Sequence, residues 1–91
     1  MLTIPIQNRR IIRIGRSFYI TIPVHYVRNG LINPNMQYHL SIIKDSDVLQ
    51  TVKYLRPMRT NDSYYFNIET KIVRSKLDLS QKYNFVAHLT K

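Results

Sequence analysis

The sequence predicts a mostly β domain in which two tandem copies of one motif, each with a short helical turn, form a single globular unit. Two observations predict it. The segment from Arg10 to Leu31 nearly recurs, 46 residues later and without a gap, as Arg56 to Leu77. Eight positions are identical: Arg10/Arg56, Arg13/Arg59, Ser17/Ser63, Tyr19/Tyr65, Ile22/Ile68, Val27/Val73, Arg28/Arg74 and Leu31/Leu77. Strand propensity explains shared β-branched residues but not shared arginines and a serine, so the match reads as an internal repeat. The second observation is that apolar residues alternate with polar ones inside both copies, which is the period of a half-buried strand.

The elements follow in order. Arg9 to Ile14 is extended in character, and Gly15-Arg16-Ser17 supplies the glycine of a tight reversal. Phe18, Ile20 and Ile22 then fall on one side of a strand, with Tyr19 and Thr21 on the other, so the two strands are expected to form a hairpin. Pro23 opens a helical turn whose Val24, Val27 and Leu31 share one face, and Gly30 is placed to end it. Asn33-Pro34-Asn35 makes a turn, after which Tyr38, Leu40 and Ile42 form the inward face of another strand. The second copy repeats the plan. Val52 to Met58 is extended, Arg59 to Ser63 is turn material, and Tyr64, Phe66 and Ile68 point inward. Val73 and Leu77 match the helical stripe, and Tyr83, Phe85, Ala87 and Leu89 close the copy. The copies are residues 1–45 and 46–91. Neither holds enough apolar area to stand alone, so they are expected to share one core.

Composition narrows the function. Fourteen basic and five acidic residues give a net charge of +9, which favours a polyanionic partner. The distribution is uneven. Residues 1–44 carry Arg9, Arg10, Arg13, Arg16, Arg28 and Lys44 with no acid, while Asp45, Asp47, Asp62, Glu69 and Asp78 all fall in the remainder. Five of those six cations are arginine, whose planar fork suits phosphate and guanine. There is no cysteine, hence no disulfide framework or thiolate metal site. His25, His39 and His88 lack metal-like spacing, so no metal or cofactor is expected. The acids form no paired motif, no glycine-rich phosphate loop is present, and no nucleophile stands in a recognisable setting, so an enzyme is not expected. Every apolar run is cut by a cation before it could span a bilayer, and a cytoplasmic location is expected.

The run from Arg13 to Pro23, Arg-Ile-Gly-Arg-Ser-Phe-Tyr-Ile-Thr-Ile-Pro, is followed by Tyr26-Val27-Arg28, Gly30-Leu31 and Asn33-Pro34-Asn35. In that order these residues resemble the swapped-hairpin domains of the AbrB/MazE/SpoVT superfamily, especially the archaeal form. The match covers roughly Arg9 to Ile43. The resemblance implies an AbrB-like barrel of interleaved hairpins whose basic face binds double-stranded DNA, and hence a transcriptional regulator from a prokaryote, virus or plasmid. It assigns Arg10, Arg13 and Arg16 to the DNA-facing strand and loop, and Arg28 to the basic end of the helical turn. Arg56, Arg59 and Arg74 are their counterparts in the second copy. That copy departs from the pattern: Asn61, Asp62, Glu69 and Lys76 stand where the first has Gly15, Arg16, Pro23 and Gly30.

Two copies in one chain imply a pseudo-dimeric monomer, with a homodimer carrying residues 46–91 as an appended lobe as the alternative. Two other functions compete with a regulator. An antitoxin would wrap a toxin with a tail, which is disfavoured because Tyr64 to Leu89 is apolar, patterned and basic. A general nucleic-acid coating protein would bind without sequence preference. Tyr19 and Tyr65 either stack on bases or sugars or pack against the partner hairpin.

Overall fold

The computed structural model describes residues 3–61 and 63–90. The chain runs β1 (Thr3–Arg10), β2 (Ile12–Ile14), β3 (Ser17–Ile22), α1 (Val24–Arg28), β4 (Tyr38–Lys44), β5 (Asp47–Leu55), β6 (Met58–Thr60), β7 (Ser63–Ile68), α2 (Thr70–Lys76) and β8 (Lys82–Leu89). The fold is mostly β, with 57 % of the described residues in strand and 14 % in helix. No helix among the described residues is long and apolar enough to cross a membrane.

The strands form two antiparallel four-stranded sheets, ordered β1-β8-β4-β5 and β2-β3-β7-β6. Each sheet draws two strands from residues 1–45 and two from 46–91, so neither half owns a sheet. The inward residues read from alternation are buried: Phe18, Ile20, Ile22, Tyr38, Leu40, Ile42, Phe66, Ile68, Tyr83, Phe85 and Ala87 belong to one core cluster between the sheets. Tyr64 and Leu89 pack at its margin.

Residues 45 or 46 apart hold matching places. In the β3–β7 ladder Ile20 lies opposite Phe66, its own counterpart, and in the β4–β8 ladder Ser41 lies opposite Val86, counterparts 45 apart. The outer pairs correspond too: Ile4↔Ala87, Pro5↔Val86 and Ile6↔Phe85 match Gln50↔Ile42, Thr51↔Ser41 and Val52↔Leu40. Unusual backbone recurs at the same spacing, with Asn8 and Tyr54 at φ 60° and 59°, and Gly15 and Asn61 at φ 62° and 52°. The Asn33 amide donates to the Tyr38 hydroxyl oxygen at 2.8 Å, as the Asp78 amide donates to that of Tyr83 at 2.7 Å. Asp62 lies outside the described residues.

The expected closed barrel is not formed: there are two separate sheets. The chain passes between them at Ile11 and at Arg56-Pro57, which belong to no strand. Just before each crossing, the ladder shifts register around the left-handed Asn8 or Tyr54. Such bulges bend a strand and interrupt its pairing, so hydrogen bonding does not continue from one sheet into the other. Pro57, which has no amide hydrogen to donate, reinforces the second break.

Three further elements differ from expectation. The first hairpin is shorter, because only Ile12–Ile14 pairs with β3 while Arg9 and Arg10 pair with Tyr83 and Lys82 on β8. The strand β1 is masked in the sequence by Pro5, which is tolerated because β1 is an edge. In α1 the anticipated stripe is only partly buried: Val24 and Leu31 are 36 % and 43 % exposed, and Ile32 is fully buried instead. The helix ends after Arg28, and Gly30 at φ 76° turns the chain so that Ile32 points inward. Leu77, packed on the core at the end of the longer α2, takes the place of Ile32 rather than that of Leu31.

Candidate nucleic-acid interface

The arginines are positioned by the two small hairpins, β2–β3 and β6–β7. Residues directly opposite in an antiparallel pair share a face. Arg13 lies opposite Phe18 and Arg59 opposite Tyr64, so both arginines project to the side of the sheet that carries the core. The hairpin ends extend beyond that core, and each arginine therefore overhangs a cleft instead of being buried.

In each hairpin the arginine braces its own turn. The Arg13 Nε donates to the Gly15 carbonyl at 3.0 Å, and the Arg59 Nε donates to the Asn61 carbonyl at 3.0 Å. This bond uses one N–H of a guanidinium that has five, and it fixes the plane of the fork. Both turn residues adopt left-handed φ, which glycine allows freely and asparagine tolerates.

Beneath the first hairpin a cleft of about 440 Å³ is lined by Arg13, Arg16, Phe18, Thr70 and Arg74. Its arginines come from both halves of the chain, because β3 pairs with β7 and so brings α2 under the first turn. Thr70 Oγ1 donates to the Arg16 carbonyl at 3.4 Å, tying that turn to the start of α2. The corresponding place beneath the second hairpin is a smaller cleft of about 170 Å³, lined by Val24, Val27, Arg28, Arg59 and Tyr64. There the Arg59 guanidinium lies 5.9 Å from the centre of the Tyr64 ring, within reach of a cation–π attraction. Three guanidinium groups around one cleft repel one another in the absence of a counter-charge, and an anion seated among them relieves that repulsion.

Thus Arg13, Arg16 and Arg74 come together, and so do Arg28 and Arg59. Arg10 and Arg56 join neither cleft. Arg10 ends β1 in the other sheet, opposite Lys82, and Arg56 sits exposed at the second crossing. Thr70 carries no signal in the sequence that marks it for this cleft. Its contribution depends on strand pairing between the halves, which local sequence does not display.

The opposite face of the hairpin sheet carries exposed apolar residues beside Thr21, Thr60 and Asn67. Ile12, Ile14 and Met58 are 39 %, 55 % and 44 % exposed, and they flank Tyr19 and Tyr65. The two tyrosine rings pack against each other across the β3–β7 pair, 5.7 Å between centroids and tilted by 60°. Of the two roles open to them, packing against the other hairpin is the one observed. Among the described residues no group of three His, Cys, Asp or Glu side chains could hold a metal. No family model, curated protein or solved structure matches this chain.

Proposed function

We propose that this chain binds duplex DNA as a transcriptional regulator of the swapped-hairpin, AbrB-like kind, and that its two tandem copies complete each other within one chain. The observation that carries the reading is the pair of arginine-lined clefts at equivalent places under the two hairpins. Guanidinium groups displace the counterions condensed on a duplex, and that release supplies much of the binding free energy. Backbone contacts of this sort position a protein on DNA, while base selection requires side chains that reach groove edges. Arg16 and Arg74, flanking the larger cleft, are the residues assigned to phosphate, with Arg13 held in orientation by its bond to the turn.

The matched ladder registers and matched left-handed residues support descent of the two halves from one duplicated motif. Strands drawn from both halves into each sheet support a pseudo-dimeric monomer, in which the second half supplies what a partner chain would supply. The grip is unequal. Among the described residues the first cleft is lined by three arginines and the second by two, so the first makes the stronger phosphate contact. With extents of 32 × 30 × 21 Å, one chain covers no more than about one turn of duplex, roughly 34 Å. A nucleoid-associated location follows from the same reading.

The test is a comparison of affinity for the DNA flanking the chain's own coding region with affinity for random duplex at one salt concentration. A regulator prefers the former by about 1,000-fold or more. Equal affinity would replace the regulator with a coating protein, and absence of duplex binding would remove the reading altogether.

A further inference from the structure

The two halves differ where β5 meets α2. In the first half the Tyr26 hydroxyl donates to the Pro5 carbonyl at 2.7 Å, fastening α1 to β1. The counterparts of Tyr26 and Pro5, 46 residues on, are Ile72 and Thr51, and isoleucine has no hydroxyl with which to make that bond. A groove of about 310 Å³ lies there, with Thr51, Lys53, Glu69, Lys71, Ser75 and Lys76 among its lining residues.

The charges of this groove belong to the second half alone. Lys53, Lys71 and Lys76 stand where the first half has Gln7, His25 and Gly30, whereas the arginines at 13, 28, 59 and 74 are common to both. Three positions scattered in sequence carry lysine in the second half alone, and these lysines converge on one concavity. Among the described lining residues the one acid, Glu69, stands where the first half has Pro23 and can satisfy one lysine, which leaves an excess of positive charge. Thr51 and Ser75 add hydroxyls able to donate to an oxyanion. Among the described residues no aromatic side chain lines the groove, so none of them can stack on a base there.

We propose that this groove is a phosphate site, separate from the arginine clefts, that takes a free phosphate or phosphate ester or a backbone phosphate of a nucleic-acid strand. Lysine ammonium groups hold such an anion as point charges, and the hydroxyls complete its hydrogen bonding. The site does not depend on the arginine clefts, because it shares no residue with them.

The experiment is an amide NMR titration of the full chain, once with inorganic pyrophosphate and once with a short DNA duplex. Shifts at Thr51 to Lys53 and Lys71 to Lys76 on adding pyrophosphate, retained in Arg13→Ala, assign a free phosphate. Shifts there with the duplex alone, displaced to higher duplex concentration by Lys71→Gln, assign a strand phosphate. In either case Lys71→Gln and Lys76→Gln should each weaken the responsible probe by about three- to tenfold. Ile72→Tyr removes no charge but fills the groove as Tyr26 does in the first half, and it should weaken binding by about tenfold or more. Groove amides that respond to neither probe, or affinity that Ile72→Tyr leaves unchanged, would overturn the proposal.

Discussion

Ile20 and Phe66 face each other at the centre of the β3–β7 ladder, both fully buried, and they are counterparts in the two halves of the chain. This pair is where the two hairpins meet, so it holds together both the core and the clefts that depend on it. Phe66→Ala should destabilise the protein by about 3 to 5 kcal/mol, the range for an aromatic deleted from a packed core. Chemical denaturation measures this, and a loss below about 1 kcal/mol would be incompatible with the burial described.

Gly15 and Asn61 share a left-handed conformation at the tips of the two hairpins. An added Cβ at Gly15 meets nothing within 4 Å, so only backbone conformation opposes a substitution. Gly15→Asn should therefore cost less than about 1 kcal/mol, whereas Gly15→Val should cost appreciably more because a β-branched residue resists positive φ. Equal losses in thermal unfolding would contradict this account of the turn.

The strands that are legible in the sequence are those with an uninterrupted alternation: Phe18 to Ile22, Tyr38 to Ile42, Tyr64 to Ile68 and Tyr83 to Ala87. Other elements carry no such signal. Ile4 and Ile6 alternate, but Pro5 between them masks an edge strand, and the polar start of β5 at Asp47 gives no apolar period. The helical stripe misled at Leu31 because α1 stops after five residues and the chain leaves helical geometry at Gly30. Among the candidate site residues, the clustering of Arg74 with Arg13 and Arg16 depends on which half pairs with which. The departure of Arg10 from that cluster depends on the crossing at Ile11. Both are long-range facts of topology, which composition and spacing do not encode.

Asp78 accepts hydrogen bonds from the Ser80 hydroxyl at 2.7 Å and the Ser80 amide at 2.9 Å, and these bonds hold its carboxyl below the usual pKa, the hydroxyl contributing most. A depressed folded-state pKa contributes stability above the ordinary carboxylate pKa, and that contribution is lost as pH falls through the lowered value. Ser80→Ala should raise the Asp78 pKa toward its ordinary value, as read by carbon-detected NMR titration. An unshifted titration would mean that the hydroxyl bond does not form in solution.

The face that carries Ile12, Ile14, Met58, Tyr19 and Tyr65 bears on the oligomeric state. Because each sheet is already completed by strands from both halves, light scattering at low concentration should give the mass of one chain. A mass of two chains at the lowest concentrations would favour the homodimer and would make that face the first place to look for its interface.

The salt dependence of duplex binding tests the arginine clefts most directly. For Arg16→Ala and Arg74→Ala, affinity should fall, and the slope of log K against log salt should become shallower by about one for each phosphate that is no longer neutralised. Lys82→Ala, placed on the other sheet, should change both much less. Slopes and affinities that stay at the parent values in both arginine variants would contradict the assignment of these clefts to DNA.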